Sequence, residues 1–110
     1  MSKLILQQKV FDLIVWAGPI LEKFPKYSRY TIGIFVREEG LGFLRNIVKT
    51  NIAADKRKGM EECLANFEMI KVYGRLCHAQ KLISTRQYEV FGERISEIGK
   101  LLHGWRKVVQ

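Results

Sequence analysis

A chain of 110 residues is one domain, long enough for a core of its own and too short to carry an elaborate active-site superstructure besides. With 47% hydrophobic residues and two prolines it is globular, which excludes a disordered tail or linker. Nineteen Lys and Arg against eleven Asp and Glu leave a net charge of +8, a balance that favours polyanionic partners, whether nucleic acid or an anionic membrane surface.

Polar and charged residues in the first nine positions interrupt any signal-peptide core. The longest apolar run, residues 13–21, is broken by Gly18 and Pro19 and falls short of the roughly 18 residues that a membrane-spanning helix needs. A cytoplasmic protein without membrane contact is expected. The first helix is carried by Leu6, Val10, Leu13, Ala17, Ile20 and Phe24, at steps of 4, 3, 4, 3 and 4. Pro19 lies inside this stripe and predicts a kink near Ala17–Gly18, because proline removes a backbone donor and crowds the preceding turn.

A break at Phe24-Pro25-Lys26 leads to a second helix from about Tyr30 to Ala54, with Ile32, Val36, Phe43 and Ile47 on its apolar side and Gly33, Gly40 and Gly42 weakening it. The basic stretch from Asp55 to Gly59 is the next break. A third helix then carries Met60, Leu64, Phe67, Ile70, Gly74 and Cys77. After Leu82-Ile83-Ser84 the last helix shows the cleanest pattern: Tyr88, Phe91, Ile95, Ile98, Leu102, Trp105 and Val109 alternate steps of 3 and 4. Ser84 and Gln87 have the spacing of a capping box at its start. No segment alternates with period two, so residues 1–110 are read as a single all-α domain, an up-down-up-down antiparallel four-helix bundle with short loops.

Catalysis needs groups that converge, and the pattern supplies none. Glu38-Glu39 and Glu61-Glu62 are adjacent pairs that diverge by about 100° on a helix. His78 and His103 lack the i, i+4 carboxylate or histidine partner of a metal site, so no metal and no other cofactor is expected. Cys77 beside His78 is not a dyad, since neighbouring helical side chains point apart, and it reads as a buried thiol. Cys63 and Cys77, about 21 Å apart along one helix, cannot pair. Gly40-Leu41-Gly42 lacks the preceding strand of a phosphate loop. No enzymatic activity is expected.

Charge becomes informative once it is placed on the topology. Residues 22–31 and 79–89 share one end of the bundle and carry a net +3, from Lys23, Lys26, Arg29, Lys81 and Arg86 against Glu22 and Glu89. Residues 1–9, 49–62 and 103–110 share the other and carry +5, led by Lys56, Arg57, Lys58, Arg106 and Lys107. The intervening flanks are neutral. These ten cations are the candidate nucleic-acid contacts. Tyr27 and Tyr30, interleaved with Lys26 and Arg29, are composed either to stack on unpaired bases or to staple the turn onto the bundle. The glycine pairs Gly33/Gly40 and Gly92/Gly99, each seven residues apart, mark close approach of another helix, from the same chain or from another subunit.

The run from Glu97 to Leu102 followed by Gly104-Trp105, the Phe24-Pro25-Lys26 turn after Pro19, and Arg75-Leu76 followed by Ser84 and Tyr88 together resemble the small four-helix-bundle proteins of the Avd type. These are accessory proteins of diversity-generating retroelements, related to proteins encoded in intervening sequences of bacterial large-subunit rRNA genes. The chain departs from the family pattern at His103, where a second glycine is common, and at Gly40-Leu41-Gly42. The resemblance implies a homopentameric, positively charged assembly that binds RNA and DNA and associates with a reverse transcriptase during mutagenic copying of a template. An alternative within the same resemblance is an oligomeric interaction scaffold of the rRNA-intervening-sequence type.

Overall fold

The computed structural model describes residues 2–109. Four long helices, α1 (Ser2–Glu22), α3 (Ile32–Ile52), α4 (Arg57–Ala79) and α5 (Thr85–Val109), run antiparallel, with a single helical turn, α2 (Lys26–Arg29), between the first two. α1 packs on α3 and α5, and α4 packs on the same two, so the four close into a square up-down-up-down bundle. No strand occurs among the described residues. The molecule is a rod of 43 × 23 × 19 Å, with long flanks and two small ends.

The predicted stripes are the ones that turn inward. Leu6, Val10 and Leu13 meet Phe43 and Ile47, Met60, Phe67 and Ile70, and Ile95, Ile98, Leu102 and Trp105 in the main core. Trp105 is only 4% exposed, so its indole belongs to that core. Leu21, Phe24 and Cys77 form a second, smaller cluster toward the α2 end, completed by Leu82 and Ile83 of the last turn. Between the two clusters lies an apolar hollow of about 90 Å³, bordered by Leu13, Leu21, Val36, Ile70 and Phe91 and by three residues without side chains, Gly18, Gly40 and Gly74. α1 continues as one helix through Pro19.

Polar contacts fix the register where apolar packing alone would tolerate sliding. Asn66 donates to the Glu39 carboxylate at 2.6 Å and accepts from Asn46 at 2.7 Å, tying α4 to α3 midway along their length. Lys9 and Glu97 pair at 2.7 Å between α1 and α5. The capping box forms as expected: Gln87 N–H donates to Ser84 Oγ at 3.0 Å and Ser84 N–H to Gln87 Oε1 at 2.8 Å.

Two boundaries differ from the sequence reading. α3 starts at Ile32, because residues 26–29 close a separate turn of helix too short to show a period. α4 starts at Arg57, earlier than the Asp55–Gly59 break implied, with Asp55 Oδ1 accepting from the Arg57 N–H at 3.1 Å at its entrance. α1 also carries more apolar surface than its inner stripe. Leu4, Ile5, Phe11 and Val15 are exposed, as are Ile34, Leu41 and Val48 of α3, so the stripes are not all consumed by the core. Counting uninterrupted apolar residues understates α1: by length and composition alone Lys3–Glu22 is long and apolar enough to cross a membrane.

The paired glycines divide. A Cβ at Gly99 would lie 2.9 Å from the Phe67 ring, and one at Gly40 would lie 3.4 Å from Ile14, so these serve packing within the chain. A Cβ at Gly92 would meet nothing within 4 Å. Gly59 is the most demanding case, since a methyl group there would collide with Thr50, a side chain fully buried between α3 and α4. Gly59→Ala is therefore expected to destabilise the bundle by about 1–3 kcal/mol, through overpacking that outweighs its helix propensity. Gly92→Ala, at an open helical position, is expected to stabilise it by up to about 1 kcal/mol. Urea midpoints of the two variants check both signs.

Candidate nucleic-acid interface

The antiparallel topology brings the basic segments together at the two ends. Leu82 and Ile83 pack on the cluster of Leu21 and Phe24, so the turn carrying Lys81 and Arg86 lies at the same end as the one carrying Lys23, Lys26 and Arg29. The α3–α4 turn and the last turn of α5 meet at the opposite end, with Met60 and Trp105 in a common core beneath them.

The ten candidate cations are not equivalent. Lys56 is half-buried and spent on structure: its Nζ donates to the carbonyls of Thr50 at 3.2 Å, Asn51 at 2.9 Å and Ala53 at 2.7 Å, which closes the C-terminus of α3. Arg57 pairs with Asp55 at 3.1 Å, and that guanidinium holds the Asp55 carboxyl below its ordinary range. Arg29 donates to the Glu22 carbonyl at 3.1 Å at the end of α1 and lies over the Tyr30 ring at 5.4 Å. Lys23, Lys26, Lys58, Lys81, Arg86, Arg106 and Lys107 make no salt bridge among the described residues. Arg106 and Lys107 sit in the last turn of α5, where they complement its dipole.

The α2 end is the more elaborate of the two. Phe24, 4% exposed, anchors the turn. The tyrosines do not: Tyr27 is 80% and Tyr30 62% exposed, and neither belongs to a core cluster. The choice between staple and free aromatic surface is settled for the turn itself, because Phe24 does the stapling.

Lys81 is a second departure from the ordinary. α4 ends with Leu82 N–H bonded to the Cys77 carbonyl at 2.9 Å and Lys81 N–H to that of His78 at 3.0 Å. These are the paired bonds of a Schellman motif, with Leu82 joining the cluster around Cys77. The motif places Lys81 at φ 61°, the left-handed position that normally takes glycine and that costs a side-chain-bearing residue about 1 kcal/mol.

The other chemical groups are inward or dispersed. Burial pushes the Cys77 thiol up to about 11, and burial also raises Cys63, whose Sγ lies 3.7 Å from Thr50 Oγ1. His78 stacks on Tyr88 at 4.4 Å, joining α4 to α5, while its neighbour Cys77 lies in the core. No cluster of three or more metal-binding side chains occurs among the described residues.

A family model described as bAvd-like matches residues 4–109, nearly the whole chain. The chain belongs to the bAvd-like family. No curated protein and no solved structure matches it. For this bAvd-like chain the family assignment agrees with the four-helix architecture and with the C-terminal motif, whose Gly99 admits Phe67 and whose Trp105 closes the core.

Lys56 and the exposed tyrosines mark what a sequence reading misses. The first depends on three carbonyls converging at a helix end, and the second on which aromatic of a short turn faces inward. Lys81→Gly is expected to raise stability by about 1 kcal/mol, by relieving the left-handed backbone while removing one unpaired cation. Thermal unfolding followed by circular dichroism checks the sign.

Proposed function

We propose that this chain is a non-enzymatic nucleic-acid-binding accessory subunit that assembles as a homo-oligomer and works beside a reverse transcriptase of a diversity-generating retroelement, supporting mutagenic copying of template RNA. The observation that carries the nucleic-acid part is the α2 end. Four cations without a salt bridge among the described residues, Lys23, Lys26, Lys81 and Arg86, share that end with two exposed tyrosines, and the flanks that would otherwise compete for a polyanion balance their charges. Phosphate contacts of this kind give affinity that falls steeply with salt. Family membership supports the retroelement context, and a reverse transcriptase gene with paired template and variable repeats beside this one would accord with it.

Triple charge reversal, K23E/K26E/R86E, tests the reading at residues that hold no structural hydrogen bond through their side chains. RNA affinity is expected to fall more than tenfold, and the slope of log affinity against log salt to flatten, while helicity is retained. Unchanged affinity eliminates the nucleic-acid reading.

Self-assembly is supported by the outer side of α1 and α3. Leu4, Gln7, Gln8 and Phe11 of α1 form a shallow groove with Leu44 and Val48 of α3. Leu41 and Ile34 continue the apolar side along α3, one and two heptads from Val48. A helix apolar on two sides buries one in its own core and calls for a cover on the other. The number of copies, five by family resemblance, follows from the angle between neighbours. This face also favours the second reading, an interaction scaffold of the rRNA-intervening-sequence type, in which the interfaces are the function. Phe11→Glu is expected to convert the oligomer to folded monomer in sedimentation velocity. An unaltered sedimentation coefficient excludes this face as the interface.

A further inference from the structure

We infer that the α2 end is a site for unpaired bases, so that the protein discriminates single-stranded from duplex nucleic acid. The inference rests on the nucleic-acid reading above and adds the substrate class. Tyr27 lies within α2 and Tyr30 caps its C-terminus three residues later, so both rings are presented at the same end of the bundle. At 80% and 62% exposure their rings contribute little to the fold, whose anchor at this point is Phe24. The turn carrying them is held by other groups: Thr31 Oγ1 donates to the Tyr27 carbonyl at 2.8 Å, and Arg29 donates to the Glu22 carbonyl at 3.1 Å. The rings are thus displayed by a supported backbone.

Charge around the rings is arranged to match. Lys23 and Lys26 precede Tyr27 in sequence, and Lys81 of the last turn and Arg86 at the start of α5 lie at the same end. Lys81 stands where the backbone favours glycine, so a cation is kept at this end at a cost in stability. Arg29 already lies over Tyr30, the guanidinium–ring pairing that also suits a base plane. A duplex presents phosphates to the lysines but hides its base faces within the stack. An unpaired strand offers both, which makes stacking the term that distinguishes the two. The opposite end has unpaired cations but, among the described residues, no exposed tyrosine, phenylalanine or tryptophan, and so relies chiefly on electrostatic attraction.

The test measures binding of the full chain to an unstructured single-stranded RNA and to an RNA duplex of matched phosphate number, by fluorescence anisotropy at two salt concentrations. Wild type is expected to bind the single strand about tenfold more tightly. Y27A/Y30A is expected to lose that preference while keeping duplex affinity and salt slope, and Y27F/Y30F to retain it. Equal wild-type binding of the two RNAs overturns the inference, as does a preference that survives in Y27A/Y30A. An acidic peptide that displaces duplex and single strand alike, with the tyrosine variants weakening the peptide only, overturns it in favour of a protein partner. Failure of the underlying reading is distinguishable, because K23E/K26E/R86E would then leave both RNA affinities unchanged.

Discussion

Burying one stripe from each of four antiparallel helices is the constraint on which the rest of the molecule depends. With Val10, Ile47, Phe67 and Leu102 facing one another, the cationic side chains have only flanks and ends to occupy. Flank residues take part in three ion pairs, Glu97 with Lys9, Arg37 with Glu22 and Lys71 with Glu68. At the ends such partners are fewer, because turns are short and several of their polar groups already close helix termini. Cationic ends are therefore a product of topology acting on a basic composition. These surface pairs add little to stability and act chiefly to neutralise the sides.

The core was legible in the sequence because burial and helical geometry impose the same period. The spacing from Tyr88 to Val109 reads directly as a buried seam, and Ser84 with Gln87 reads as its beginning; both follow from local rules. What escaped the sequence depended on three-dimensional convergence. Lys56 looks like one more cation in a basic turn until three carbonyls of α3 are seen around its ammonium. α2, four residues long, shows no period. The second apolar side of α1, with Leu4, Ile5, Phe11 and Val15, lies beside an inner stripe that by itself already accounts for a helix. At the candidate interface the cationic residues were legible by count and by topology. Which of them remain unpaired, and that the tyrosines face outward, required coordinates.

Small residues divide the work of close approach. Gly74 lets the Phe91 ring lie against α4, and Gly99 lets the Phe67 ring lie against α5, so each of these two helices receives an aromatic ring of the other. The reciprocal arrangement gives Gly99, in the C-terminal run, a structural role within the chain. Gly92 and Gly104, on the same helix but facing open space, have no such role within the chain.

The hollow between the main core and the cluster of Leu21, Phe24 and Cys77 has a dynamic consequence. Two hydrophobic nuclei joined across a void are weakly coupled, and the smaller has just three buried members. Amide protons around α2 then exchange through subglobal openings, without waiting for the whole rod to unfold. The terminus that presents rings and cations to a ligand is in this way the part of the molecule that can reshape around it, on a base that stays rigid.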